Sequence, residues 1–541
     1  MKHIIKSLIV LGCFAVLQSC SKDFTNRPPE DQLTNAAFYK SEAEILAGTA
    51  PLYNIVWFEY NDKAALSFGD ARGGNMVSND RDAFYKFAVT ATDINTLLPA
   101  YKAFYKIIGQ SNTTMTSIAQ NSTGVSEAAI NRGIAECKFM RGMAYYFLVS
   151  NWGPVPIIYD NAGQLTDQNI FRNSQASVWK LIIKDLTYAA KNLPATVAQT
   201  GRLTKWSAEA TLAKMYLTRA GLGSTGGTRN QSDLDSAKYY AADVVNNSGL
   251  DLNPVYANLF KSEYHASGID NPESLFSLQW LPQKDVWGIN NSFQAYMAVN
   301  GDVTGSWDGW GAAHGASCDL LKYYLAHPED SLRRKATVMF NGDYYPEINK
   351  KGGGYNYTVN YVANFKKYII GSVADNGGKG SEMAENIRTY MLRLAELYLV
   401  YAEAIMGNNA STADAEALKY FNKVRVRAGV PTKSSINFDD IMNEKRIETA
   451  FEGTYWYDIL RLYYFNPTKA KALINAQDKG SYTLNYIAGT YTPRQYTAVY
   501  TSAFYPVTDA VMYFPIPEAE SAKAPNLSSP PVDFDFSKLP D

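Results

Sequence analysis

Net charge, histidine and usable cysteine are all scarce in this 541-residue chain. Lys and Arg number 51 against 52 Asp and Glu, so no positive field exists to hold a phosphate backbone and no long basic run marks a nucleic-acid groove. Nucleic acid is thereby excluded as an expected partner. Of four histidines, His3 sits at the extreme N-terminus, leaving His265, His314 and His327 for acid/base or zinc chemistry. His314 and Cys318 are four apart and could share a helical face, but without a visible third partner a local structural role is expected. No P-loop, HExxH, GxSxG or paired CxxC occurs. No compact loop has calcium-ligand spacing, so no catalytic residue, metal ligand or cofactor is assigned, and a structural Ca2+ held by oxygen ligands stays open. "GLGSTG", Gly221 to Gly226, matches a dinucleotide pattern. A helix rather than a strand precedes it, however, and it reads as an interhelical loop.

Long apolar runs are also missing, with one exception at the start. "MKHIIKSLIVLGCFAVLQSC" opens with Lys2 and Lys6, continues with an apolar run from Leu8 to Leu17, and ends on Cys20. The pattern is that of a secretory signal peptide over residues 1–19, too short for a permanent span. Its close resembles a bacterial lipobox, which implies that Cys20 is lipidated and becomes the first mature residue. Only Cys137 and Cys318 would then remain as thiols, too few for a disulfide framework. The mature chain is expected to be a water-soluble body tethered by acyl chains.

What the chain does have is helical periodicity and aromatic side chains. Apolar residues recur at three- and four-residue intervals over Ser41–Tyr60, Ile94–Ala119 and Ser126–Asn151, and Asn151-Trp152-Gly153-Pro154 stops the third run. Further helices are predicted at Ser174–Leu193, Ser207–Ala220, Asp233–Asn247, Arg388–Met406, Thr412–Ala428, Phe438–Phe451 and Tyr455–Tyr463. Paired helices joined by short turns, with Ala402, Ala404, Ala415 and Ala417 small enough for close contact, resemble tetratricopeptide units. The expected fold class is all-α: a solenoid of helix pairs over 36–251 and 386–465, an irregular Gly-, Asn- and aromatic-rich insertion over about 252–385, and a loop-rich C-terminal segment, 466–541. Aromatics reach 13%, with 39 tyrosines and 9 tryptophans, a supply that serves helix packing and amphipathic ligands alike.

"NEKRIETAFEGTYWYDILR", 443–461, poses the sharpest chemical question. On a helix Glu444, Ile447, Glu448 and Phe451 share one face, so the two carboxylates enter the core side. Glycosidase carboxylates must flank an open cleft, whereas buried ones need cations, and Arg393, Arg425, Arg427, Arg446 and Arg461 are available. Scaffold is the expected role.

"RLAELYLVYAEA", "FNKVRVRAG", "NEKRIETAFEG" and "YFPIPEAE", with the earlier "AECKFMRGMAYYFLVSNWGPVPII" and the lipobox cysteine, resemble the SusD/RagB family of outer-membrane nutrient-binding lipoproteins. The blocks fall in family order from Cys20 to near the C-terminus and are least alike across 252–381. The resemblance implies a surface-exposed, lipid-anchored, non-enzymatic lid that captures a glycan and passes it to a SusC-like TonB-dependent transporter, as in polysaccharide utilization. It places ligand contacts in two stretches: "SFGDARGGNM", with Asp70, Arg72 and Asn75, and the irregular middle, with Trp287, Tyr296, Trp307 and Trp310. Aromatic faces stack on pyranose rings, and Asp, Asn and Arg bond hydroxyls. A RagB-type peptide binder, a helical carbohydrate-active enzyme using Glu444 or Glu448, and a purely structural lid are the alternatives.

Overall fold

A computed structural model describes residues 38–539 apart from 165–166, 168, 225, 267, 269–270, 283–285, 307–308 and 490–491. The signal segment and Cys20 therefore lie outside the described residues. Helices dominate: α1 (Glu42–Thr49), α2 (Leu97–Asn121), α3 (Glu127–Trp152), α4 (Gln175–Asn192), α5 (Lys205–Arg219) and α6 (Gln231–Asn247) come first. After the irregular middle, with α7 (Phe293–Met297), α8 (Cys318–Ala326) and α9 (Ser331–Thr337), come α10 (Leu394–Met406), α11 (Ala415–Ala428), α12 (Phe438–Glu448), α13 (Tyr455–Phe465) and α14 (Pro467–Ala476).

The helices start where side chains cap them. Ser126 accepts the Ala129 N–H at the head of α3, and Ser174 accepts that of Ser177 at the head of α4. Two starts lie earlier than the sequence reading placed them, because Thr204 forms a capping box with Ser207, and Asn230 caps through the Asp233 N–H. Successive helices pack as neighbours, α2 on α3, α3 on α4, α4 on α5, α5 on α6, then α6 on α10 and α10 on α11, consistent with tetratricopeptide-like stacking. Close approach requires small residues: a Cβ on Gly133 in α3 would sit 2.4 Å from Ile45 Cγ2 of α1.

Strands are short and paired two by two among the described residues: β1 (Met76–Val77) with β3 (Gly315–Ala316), β2 (Ser274–Leu278) with β4 (Thr389–Arg393), and β5 (Ser481–Tyr486) with β6 (Tyr496–Thr501). β4 occupies residues expected to begin a helix; all five of its side chains are buried, and its ladder with β2 satisfies their backbone. The expected helix over 41–60 also breaks, α1 giving way at Pro51 to a helical run of mixed 3₁₀, α and π pitch that reaches Ala71. That run carries the exposed strip of the candidate ligand-binding site.

Candidate ligand-binding site

The mixed-pitch run buries every residue from 55 to 71 except Ile55, Glu59 and Lys63. Their four-residue spacing puts all three on one outward face. At one end of this strip Phe58 turns inward and supports Trp287, with ring centroids 4.9 Å apart and planes at 76°. Trp287 is 51% exposed, among exposed Ile55, Leu281 and Val286. At the other end stands Tyr296 on α7, against which Trp310 packs edge-on at 5.4 Å and 71°. Trp310 is 42% exposed, and its backbone N–H donates to the Ala295 carbonyl. Phe58 and Lys63, five residues apart on the helical run, mark the two ends of this strip.

Polar groups line the second station. The Lys63 ammonium lies 2.7 Å from the buried Asp62 carboxylate; partial burial would lower it, but that hydrogen bond and charge, with Tyr296 beside them, raise it above the ordinary lysine value. Asp62 also accepts the Ser292 hydroxyl, which ties the run to the segment leading into α7. The Arg81 guanidinium stands 5.8 Å over the Tyr296 ring and donates to Asp80 at 3.0 Å and to Ser67 Oγ at 3.0 Å. Asp80 reaches this place because β1 pairs with β3, bringing 78–81 beside 310–314. Burial would raise its carboxyl, yet hydrogen bonding to His314 and the Arg81 charge hold it well below the usual range.

The residues expected to bind ligand therefore divide. Trp287 stands at one end of the exposed strip and Tyr296 with Trp310 at the other, and Trp307 lies outside the described residues. Asp70, Arg72 and Asn75 are corrected: all three are buried, Asp70 in a helical turn, Arg72 at its C-cap and Asn75 in the bend just beyond, and each bonds to protein atoms. Asp70 accepts the N–H groups of Phe451 and Gly453 at 3.0 and 2.7 Å. Arg72 is sandwiched between Trp456 and Phe514, 4.0 and 3.8 Å from the two ring centroids. Asn75 accepts from Arg446 Nε at 2.7 Å and donates to Asp70 at 3.1 Å. Gly69 lets this turn touch the one after α12, since a Cβ there would lie 2.1 Å from the Gly453 backbone. "SFGDARGG" and "TAFEG" are thus two halves of one internal joint.

The glutamate stretch is also internal. Glu444 pairs with Arg333 and Arg425, Glu448 with Arg333, Arg393 and Arg427, and Glu452 with Arg393 and Lys367. Glu273 completes the network through Arg393 and Arg427. Arg446 and Arg461 serve Asp319 and Glu403 instead. With its side chains 2% exposed or less, the three-carboxylate row has no access to solvent or substrate. Sequence reasoning missed Lys63, Asp80 and Arg81; the "SNDRD" cluster at 78–82 was the available signal, but only the β1–β3 pairing tells that it faces Tyr296.

Comparisons with known proteins give consistent results. A profile described as the SusD family matches residues 272–532, and one described as starch-binding, associating with the outer membrane, matches residues 43–217. A SusD-like protein of Bacteroides ovatus is 37% identical over 98% of this chain and 99% of its own length. SusD-like protein P2 of Formosa agariphila is 29% identical over 80% of this chain and 86% of its own. A crystal structure with xylogluco-oligosaccharide is 36% identical and superposes with a TM-score of 0.83, covering 91% of this chain and 99% of that one.

Proposed function

The chain belongs to the SusD family of non-catalytic, outer-membrane-associated binding proteins, and from that premise we propose that it captures a glycan on the face between Trp287 and Trp310. The captured chain is then handed to a SusC-like TonB-dependent transporter, with the protein held at the cell surface by acylated Cys20. One observation carries the reading: two large apolar rings stay exposed, each braced edge-on by a second aromatic, at opposite ends of a strip bearing Glu59 and Lys63. Braced rings lose little freedom on stacking against the apolar face of a sugar, and the polar strip between them bonds hydroxyls. Two stations along one line suit a chain of sugar rings better than a single ring. The 36%-identical relative solved with xylogluco-oligosaccharide makes xyloglucan the first polymer to try.

The test is native affinity electrophoresis of the mature protein lacking Cys20, through gels holding xyloglucan and a panel of other polysaccharides, with each polymer checked for new ends. Retardation without cleavage is expected. Indifference to every polysaccharide together with binding to peptide mixtures would overturn the reading in favour of peptide capture.

A further inference from the structure

Glu59 sits midway along the exposed strip, four residues from Ile55 on one side and four from Lys63 on the other. Its side chain is exposed, and no described residue forms an ion pair with it. Lys63, the cation of the strip, pairs with the buried Asp62 at 2.7 Å instead. Arg81, the other cation beside the Tyr296 ring, is buried and matched by Asp80 at 3.0 Å. Both cations thus already have an acid, and Glu59 is an acid left over. The chain as a whole is close to neutral, with 51 Lys and Arg against 52 Asp and Glu, so this excess is a property of the strip and not of the whole-molecule field.

Hydrogen-bonding capacity sharpens the imbalance. An ionised carboxylate only accepts, and an ammonium only donates. A ligand lying along Glu59 and Lys63 must therefore give a proton to the first and offer a lone pair to the second. A hydroxyl does both, and two neighbouring hydroxyls of one sugar ring can donate to the two oxygens of one carboxylate. A uronate or sulfate group only accepts. At Glu59 it would set acceptor against acceptor and charge against like charge, while the ammonium and guanidinium that could receive it are taken by Asp62 and Asp80. The tryptophans draw no such distinction, because stacking uses the apolar face of the ring.

We propose that Glu59 is a specificity-determining residue of this face, accepting hydrogen bonds from the hydroxyls of an uncharged glycan and turning away chains that place a carboxylate or sulfate beside it. The inference rests on the capture reading above and names its substrate class. Two like charges ~4–6 Å apart at a protein surface repel enough to lower affinity about tenfold, and the effect weakens with salt because both are exposed.

The experiment is calorimetric titration of the mature protein lacking Cys20 with xyloglucan and with xyloglucan whose primary alcohols have been oxidised to carboxylates, at low and at high salt. If another neutral polymer of the panel is the one bound, it and its oxidised form take their place. The wild type is expected to prefer the neutral form by about tenfold at low salt, with the preference shrinking at high salt. Glu59→Gln should lose most of that preference, and Glu59→Lys should reverse it, whatever their affinity for the neutral form. Trp287→Ala should weaken both forms alike and keep the ratio. A wild type that binds the oxidised form equally or better, or a Glu59→Gln protein that keeps the full preference, overturns the assignment and leaves capture standing. Failure of every polymer, neutral and acidic, sinks capture and the inference with it.

Discussion

The carboxylate of Asp70 accepts the backbone N–H of Gly453 at 2.7 Å, across 383 residues of chain. Its other oxygen takes the N–H of Phe451, a non-glycine residue held at φ +64°, and the side-chain amide of Asn75. Three donors converge on one buried acid, which fastens the turn after α12 to the helical run that carries the ligand face. Burial pushes the Asp70 carboxyl up to about 6, against the hydrogen bonds that favour its charge.

Asp70→Asn would set an amide NH2 against one of these donors. The expected cost is about 1–3 kcal/mol, the penalty of an unsatisfied buried donor, read as a lower urea midpoint. Affinity of the folded protein for its glycan should stay within about twofold, because Asp70 does not reach the ligand face. A tenfold loss of affinity without loss of stability would restore Asp70 to the ligand contacts.

Arg72→Lys tests the same joint through shape. A guanidinium lying flat between Trp456 and Phe514 uses both faces, which an ammonium cannot reproduce. Cation–π contacts of this kind contribute up to about 2 kcal/mol when desolvated, so a fall in the thermal midpoint is expected with glycan binding retained.

Glu448→Gln leaves Arg393, Arg427 and Arg333 facing a neutral amide inside the core. Breaking a buried ionic network from one side costs about 3–5 kcal/mol, and denaturant titration should register it. Neither this protein nor the wild type should produce new reducing ends from any polysaccharide; polymer cleavage by the wild type that the variant abolishes would overturn the scaffold role.

Acid stability should carry the signature of Glu396. Burial alone would push its carboxyl up, but Lys214 and Lys445, at 2.9 and 2.8 Å, outweigh it and hold the group at about 2, below the ordinary glutamate value. A depressed folded value means that its stabilisation is present above the unfolded value and is lost as pH falls through the folded one. About 3 kcal/mol should therefore vanish between about pH 5 and pH 2. Glu396→Gln, unable to titrate, should show a correspondingly shallower acid slope; an unchanged slope would mean other carboxylates govern acid unfolding.

Trp287→Ala and Trp310→Ala should each weaken glycan binding by about 2 kcal/mol, roughly thirtyfold, as truncation of a central aromatic anchor does. Both side chains are about half exposed, so the thermal midpoint should fall less than for a core tryptophan. Calorimetric titration of each variant with the retarding polymer separates the two effects.

The helical order was legible because it is written locally. Apolar spacing in α2 to α6 and α10 to α13, with caps and prolines nearby, fixes each helix whatever its neighbours do, and the errors lie at ends, where Thr204 or Asn230 caps earlier than expected. β4 was not legible: Thr389–Arg393 runs directly into an amphipathic helix, and only its partner β2, more than 100 residues earlier, makes it a strand. The family resemblance rested on blocks such as "NEKRIETAFEG", which are core, so they reported the fold rather than the site.

By itself the sequence determined a helical scaffold and an aromatic-rich middle segment, because periodicity and composition are properties of short stretches. Tertiary structure alone decided that Asp70, Arg72 and Asn75 face inward while Asp80 and Lys63 stand beside the exposed aromatic rings. Both sets are polar residues in glycine-bearing segments, indistinguishable by composition. Which one meets solvent depends on whether a distant backbone, here the turn at Gly453 or the strand at Gly315, arrives to take its hydrogen bonds.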